Sequence, residues 1–275
     1  EATTLMLPEH VHLEGLSHTA FEVGGTFDGV RELEVAKPVT LSFFDNHVRE
    51  LDMDAIYVSN LGKIQAMSPI TTAPNLKINS RVFHLQSGGA FESKWVNLNA
   101  TLFDMDIGSE FVVHGPTASD LVDLPDNVRG SPQFGDGHGF YSEQGGSGAS
   151  YGGVAGRSQA FAETGTPYGS PWQPTMFGSV GGSGPSGTGG TAGGIAYIRA
   201  INASVDGTLK SAGHDGSGAA GGGSGGSVWL EVTRLHGAGT FDVSGGDARQ
   251  SDGVSDPTPN NGVNDDCVPT FVYQN

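Results

Sequence analysis

The stretch Gly193-Gly194-Ile195-Ala196-Tyr197-Ile198-Arg199-Ala200 aligns without a gap on Gly225-Gly226-Ser227-Val228-Trp229-Leu230-Glu231-Val232, 32 residues later. Further on, Gly207-Thr208 falls on Gly239-Thr240, Gly213 on Gly245 and Asp215 on Asp247. A fixed period of this size marks a repeat architecture, in which each unit covers its neighbour's apolar face. In the second copy Val228, Leu230 and Val232 alternate with Trp229, Glu231 and Thr233, the period of a strand with one buried face. A glycine turn and a second short strand around Phe241 and Val243 follow. Short strands joined by glycine corners predict an all-β chain, a right-handed parallel β-helix in which each strand pairs with its equivalent one coil later, about 4.8 Å away.

The outward positions agree with direct stacking. Arg199 aligns with Glu231, Lys210 with Asp242 and Tyr197 with Trp229. Opposite charges and aromatics side by side on adjacent strands each contribute roughly 0.2–1 kcal/mol.

Glycine separates the chain into two regimes. Of 45 glycines among 275 residues, nine precede Pro116 and the rest follow it. No Gly-X-Y period runs through them, which excludes collagen. The formal net charge of −17 argues against nucleic acid and anionic membranes as partners and favours divalent cations or basic proteins. No run of 18 apolar residues occurs, so no membrane-spanning helix is expected. The sequence begins at Glu1 without Met, as a secreted chain does after removal of its leader, or a segment does. Cys267 is the single cysteine; it excludes an internal disulfide framework and is a candidate for an intermolecular disulfide, with a free thiol as the alternative.

Residues 1–115 read as strand-rich coils. Three segments share one form, a strand, a glycine-centred turn and a second strand: Ile56–Ile64, Phe83–Phe91 and Phe103–Phe111, with glycines at 62, 88 and 108. Glycine supplies the positive φ that a sharp corner needs. A separate β-sandwich of hairpins is the alternative for this part. No amphipathic helix is evident. Residues 116–130, with Pro116, Pro125 and scattered aspartates, read as a linker or surface loop. Residues 131–192 form a glycine-rich loop region. Its recurring aromatics, among them Tyr151, Tyr168, Trp172 and Phe177, point to an ordered region rather than to a flexible linker. Residues 193–250 carry the repeated coils of period 32, and residues 251–275 a tail that ends in one apolar strand around Phe271, Val272 and Tyr273.

Gly165-Thr166-Pro167-Tyr168-Gly169, Pro174 and Phe177-Gly178-Ser179-Val180-Gly181-Gly182, with Gly135-Asp136-Gly137-His138-Gly139 and Tyr151-Gly152-Gly153 upstream, resemble a motif of large glycine-rich extracellular parallel β-helix repeat proteins of animals and protists. The resemblance covers roughly residues 130–250. It implies an extracellular or cell-surface location and a structural or adhesive role, and it brings no catalytic residue with it.

The acidic pairs Asp52/Asp54, Asp104/Asp106 and Asp265/Asp266 are the candidates for chemistry. At spacing i, i+2 on a strand both carboxylates share one face, where they can bind calcium or act in hydrolysis. Asp104 and Asp106, with Met105 turned inward between them, are the calcium candidates, although the same pattern is an ordinary half-buried strand. His10-Val11-His12 presents two imidazoles but lacks a recognisable third metal ligand. No phosphate loop, nucleophile elbow or repeated calcium nonapeptide is present, and no cofactor other than calcium is expected. Asn99-Ala100-Thr101 and Asn202-Ala203-Ser204 are sequons, so Asn99 and Asn202 are glycosylation candidates. The expected function is a non-enzymatic, extracellular structural or adhesive glycoprotein, a subunit of a filament or surface coat. Self-assembly, other extracellular proteins or carbohydrate are its expected partners. A polysaccharide-cleaving β-helix enzyme and a carbohydrate- or ice-binding module are the alternatives.

Overall fold

The computed structural model of the protein describes residues 8–15, 19–22, 27, 29–43, 49–67, 74–123, 137–141, 143, 145–157, 164–248 and 271–274. The protein is all-β. Its strands are β1 (His10–Leu13), β2 (Thr19–Glu22), β3 (Glu32–Val35), β4 (Val39–Phe43), β5 (Arg49–Val58), β6 (Lys63–Ala66), β7 (Leu76–Leu85), β8 (Ala90–Ser93), β9 (Trp95–Met105), β10 (Glu110–Val113), β11 (Ile195–Val205), β12 (Thr208–Lys210), β13 (Ser227–His236), β14 (Thr240–Asp242) and β15 (Phe271–Gln274). The odd-numbered strands make one eight-stranded sheet, in sequence order. The even-numbered ones make a seven-stranded sheet, also in order. Every pairing within these sheets is parallel. The chain thus crosses from one sheet to the other at each turn and returns one strand further on. A sandwich of hairpins requires antiparallel neighbours and does not form.

The register of the repeat is the one its alignment predicts. Ile195 pairs with Ser227 and Ala200 with Val232, and Thr208 pairs with Thr240. Residues before and after the glycine-rich insertion share both sheets: β9 pairs with β11 from Trp95↔Ile195 to Met105↔Val205, and β10 pairs with β12. β15 adds in parallel to β13, through Val228↔Phe271. Cys267 lies outside the described residues, as do Leu5, Met6, Leu7, Asp265 and Asp266.

Between the sheets lies an apolar core whose centre is aromatic. Phe83, Phe91, Phe103 and Phe111 are fully buried. Phe91 and Phe111 stack at 4.4 Å between ring centroids, Phe83 and Phe103 at 5.9 Å, and Phe83 meets Phe91 edge-on. They come from the paired strand–turn–strand segments, so each layer delivers one ring per sheet to the same level. The corners differ from the glycine expectation at one place. Gly88 and Gly108 have positive φ (76° and 80°), but at the equivalent corner Asn60 and Leu61 take it instead. Gly62 is needed there for closeness: a Cβ would sit 2.1 Å from the Val35 carbonyl oxygen.

Of residues 116–130, read as a linker or surface loop, the structure describes 116–123. They hold the six-residue helix α1 (Ala118–Asp123). Thr117 caps it: the Asp120 N–H donates to Thr117 Oγ1 at 3.1 Å, and the Thr117 N–H donates to Asp120 Oδ2 at 2.8 Å. This reciprocal pair is a capping box, written in the sequence as Thr117-Ala118-Ser119-Asp120. The helix is too short for an amphipathic period to reveal it.

The described parts of the glycine-rich region pack as extended segments that bond every third residue. Gly221 and Ser224 donate to the carbonyls of Gly182 and Ser179, and Gly190 and Gly193 to those of Gly221 and Ser224. Gly223 and Gly226 donate to His214 and Ser211, and Gly213 and Gly216 to Ser244 and Asp247. A three-residue period is that of the polyproline II helix, whose backbone has no internal hydrogen bonds and must find partners outside itself. Only glycine permits the approach: a Cβ on Gly146 would lie 1.8 Å from the Gly182 carbonyl oxygen. The buried serines between the glycines are satisfied. Ser224 Oγ accepts from the Ser179 N–H, Ser147 Oγ from the Phe140 N–H, and Ser211 Oγ donates to the Gly194 carbonyl. The aromatics pin the flank, with Tyr168 OH donating to the Phe177 carbonyl and Tyr151 packing edge-on against Tyr168.

Candidate functional site

The long strands of the eight-stranded sheet do not run straight. On β9 the buried residues Leu98 and Phe103 are five apart, and on β7 and β11 so are Ile78 and Phe83, and Ile198 and Ala203. An unbroken strand places residues an even number apart on one side. Each strand therefore bends at its middle, where small residues, Ser80, Ala100 and Ala200, occupy equivalent positions. The aligned bends make a groove.

One part of this groove, of about 750 Å³, reaches from Arg31 to Thr101, and a second part, of about 420 Å³, continues from Asn99 to Thr233. They share Asn99 and Ala100. Two columns of outward side chains form its walls. The first is Asp52, Asn79, Asn99, Arg199 and Glu231, neighbours through successive registers. The second lies two residues further along each strand and includes Asp54, Arg81, Thr101, Ile201 and Thr233. Five strand spacings separate Arg31 from Thr233, so the groove is about 24 Å long.

The walls are hydrogen-bonded along their length. Arg31 Nε donates to Asp54 Oδ2 at 2.7 Å. Asn79 Nδ2 donates to Glu50 Oε1 at 2.9 Å, and Asn99 Nδ2 to Asn79 Oδ1 at 3.2 Å. At the far end Arg199 grips Glu231 through Nε (3.2 Å) and a terminal nitrogen (2.9 Å). That terminal nitrogen also donates to the Tyr197 hydroxyl, which donates to Glu231 Oε2 at 2.5 Å. The bonds from Tyr197 and Arg199 hold the Glu231 carboxyl below its usual value, while partial burial and the neighbouring Glu231 raise the Tyr197 hydroxyl. Tyr197 and Trp229 pack at 4.6 Å, as their alignment anticipates. Lys210 Nζ approaches Asp242 at 3.5 Å. Asp52 and Arg81 make no ion pair among the described residues.

The other sequence candidates fall elsewhere. Asp104, near the C-terminal end of β9, and Asp106, just past it, flank the buried Met105 and lie outside the groove. Partial burial, with Asp106 and Asp206 nearby, raises the Asp104 carboxyl above its usual value, and Asp106 Oδ1 takes a bond from His84 Nε2 at 3.0 Å. His10 and His12 each turn Nδ1 to a glutamate one strand over, Glu32 and Glu34, at 2.8 Å. Among the described residues no three His, Cys, Asp or Glu side chains are placed to hold one metal ion. Asn99 is exposed on the groove wall, and Asn202, half-buried, pairs in register with Arg234. The groove itself was missed by sequence reading. Its signal is the pair of buried apolar residues five apart on β7, β9 and β11, a break of phase that strict alternation counting passes over.

Fold and groove together define an all-β protein of stacked parallel strands with a polar cleft across one sheet. Comparison with protein-family models, curated proteins and solved structures gives no match. No described helix is long and apolar enough to cross a membrane.

Proposed function

We propose that the two sheets are sides of a right-handed parallel β-helix, and that the protein is an extracellular structural or adhesive element, a subunit of a filament or surface coat. The observation that carries this reading is the strand order. Each layer pairs only with the layers before and after it, so the stack grows in one direction and is stiffened by its core along that direction. Among the described residues β14 has no strand on its outer side. Such an edge offers unpaired N–H and C=O groups to another molecule, and head-to-tail pairing of this kind extends without closing. The excess of acid keeps the surface soluble and leaves basic proteins as favoured partners.

Sedimentation and electron microscopy at micromolar concentration test the proposal together. Concentration-dependent association into linear particles is expected. A single monomer species, unchanged by concentration, calcium or oxidation state, overturns the assembly reading.

A further inference from the structure

We propose that the groove across β5, β7, β9, β11 and β13 binds an extended neutral oligosaccharide, laid perpendicular to the strands with about one sugar unit per strand spacing.

Four features of the groove point to this ligand. Its rungs repeat at the strand spacing, which is close to the advance of one pyranose unit in a β-linked chain. A long ligand therefore meets one pair of side chains, at equivalent positions, at each unit. Its walls are short planar groups, Asp52, Asn79 and Asn99, whose paired oxygens and nitrogens suit vicinal hydroxyls. Arg81 adds a planar fork with no ion pair among the described residues. Its floor is small and apolar, with Ala100 and Ala200 lying low, and on its wall Ile201, 52% exposed, offers a surface for the C–H face of a ring. At the bend the Ser80 hydroxyl is covered and has no hydrogen-bond partner among the described residues.

Other ligand classes fit less well. The strands lining the groove already pair on both sides, so no extended peptide can add to their backbone. The groove offsets its cations Arg31, Arg81 and Arg199 with the anions Asp52, Asp54 and Glu231, and the chain carries a net charge of −17, a poor match for a polyanion.

Asn99 supplies a second source of the same chemistry. It lies in the groove wall and begins a sequon, so a glycan carried on Asn99 starts inside the groove. The occupant is then either the protein's own glycan or a foreign polysaccharide.

The experiment is a calorimetric titration of the full chain, produced in a bacterial host without N-glycans, with cellohexaose and chitohexaose. Binding of at least one, with a Kd below about 1 mM, is expected. Arg81→Ala and Asp52→Ala are expected to weaken it tenfold or more, and Ile107→Ala, at an exposed turn, to leave it unchanged. Arg81→Lys keeps the charge without the fork and is expected to fall between. Circular dichroism and the melting transition confirm that each variant is folded. Absence of binding to both probes at millimolar concentration overturns the proposal, as does equal binding by folded Arg81→Ala and Asp52→Ala. The same titration on protein from a eukaryotic host, before and after enzymatic deglycosylation, separates the sources. Binding that appears only after deglycosylation assigns the groove to the protein's own glycan. Binding in both forms assigns it to a foreign chain. These readouts come from single molecules in solution and do not depend on filament assembly.

Discussion

Asn99 and Arg199 are one hundred residues apart in sequence and directly opposed on adjacent strands. The insertion between them is closed at its stem, where the Gly115 N–H bonds the Ala192 carbonyl and the Gly194 N–H the Val113 carbonyl. Far from hanging free, it bonds to segments that follow it, through Gly221 to Gly182 and Ser224 to Ser179. Replacing residues 117–190 by a short linker is therefore expected to spare β5–β9 and to strip the Ser217, Gly221 and Ser224 amides of their acceptors, Thr188, Gly182 and Ser179. Hydrogen exchange checks this: the amides of Gly221 and Ser224, protected in the full chain, should exchange freely in the variant, while that of Gly223, bonded to the His214 carbonyl, should stay protected.

Gly146→Ala should be among the most damaging single-methyl changes. The new Cβ would sit 1.8 Å from a backbone oxygen of Gly182, and backbone on both sides cannot give way cheaply. A loss of about 3 kcal/mol is expected. At Gly29 a Cβ meets nothing within 4 Å, and only its φ of 83° resists, so Gly29→Ala should cost about 1 kcal/mol. Denaturant unfolding of the two variants measures the difference, and equal losses contradict it.

Phe83 is packed on three sides by Phe91, Phe103 and Phe111. Phe83→Ala is expected to cost about 3–5 kcal/mol, since the surrounding rings belong to laddered strands and cannot collapse into the cavity. Ile107, 78% exposed, is the contrast, and its replacement by Ala should change stability by less than about 0.5 kcal/mol. Chemical denaturation of both proteins gives the comparison.

Lys94 Nζ is bound to Asp120 at 3.1 and 3.2 Å and fastens α1 to the corner between β8 and β9. Burial alone would raise the Asp120 carboxyl, but the bonds from Thr117 and Lys94 outweigh it and hold the group below its usual value. A depressed carboxyl stabilises the fold above its unfolded value and loses that contribution as pH falls through the folded one. Asp120→Asn leaves a largely buried ammonium without its anion and should cost about 2 kcal/mol at neutral pH. The gap between variant and parent should close in acid, where the parent's carboxylate is protonated too. A constant gap from pH 7 to pH 3 is inconsistent with this account.

Two histidines should titrate on opposite sides of 6.5. The hydrogen bonds from His12 to Glu34 and Glu14 raise it, whereas burial, aided by the stacked ring of His214, lowers His114. The His12 contribution to stability is full below its unfolded value and is lost as pH rises through the folded one. The His114 contribution is present above its unfolded value and is lost as pH falls towards the folded one. Nitrogen-detected NMR titration should place the His12 midpoint above that of His114, and the reverse order refutes both assignments.

The sequence by itself determined the pairing of residues 195–200 with 227–232, and with it the contacts of Arg199 with Glu231, Lys210 with Asp242 and Tyr197 with Trp229. An uninterrupted period carries register, because a one-residue slip would turn Val228, Leu230 and Val232 to solvent. It also determined the strand–turn–strand segments that deliver the buried phenylalanines. What only the tertiary structure decided is which strands meet across the insertion. Closing a loop costs free energy that rises only slowly with its length, so the separation of Asn99 from Arg199 left no periodic trace. The groove depends on that meeting, since its rungs come from strands spread over most of the chain. The glycine-rich region was legible as ordered through Tyr168 and Phe177. Its three-residue bonding stayed hidden, because glycine and serine present no apolar face whose spacing could report it.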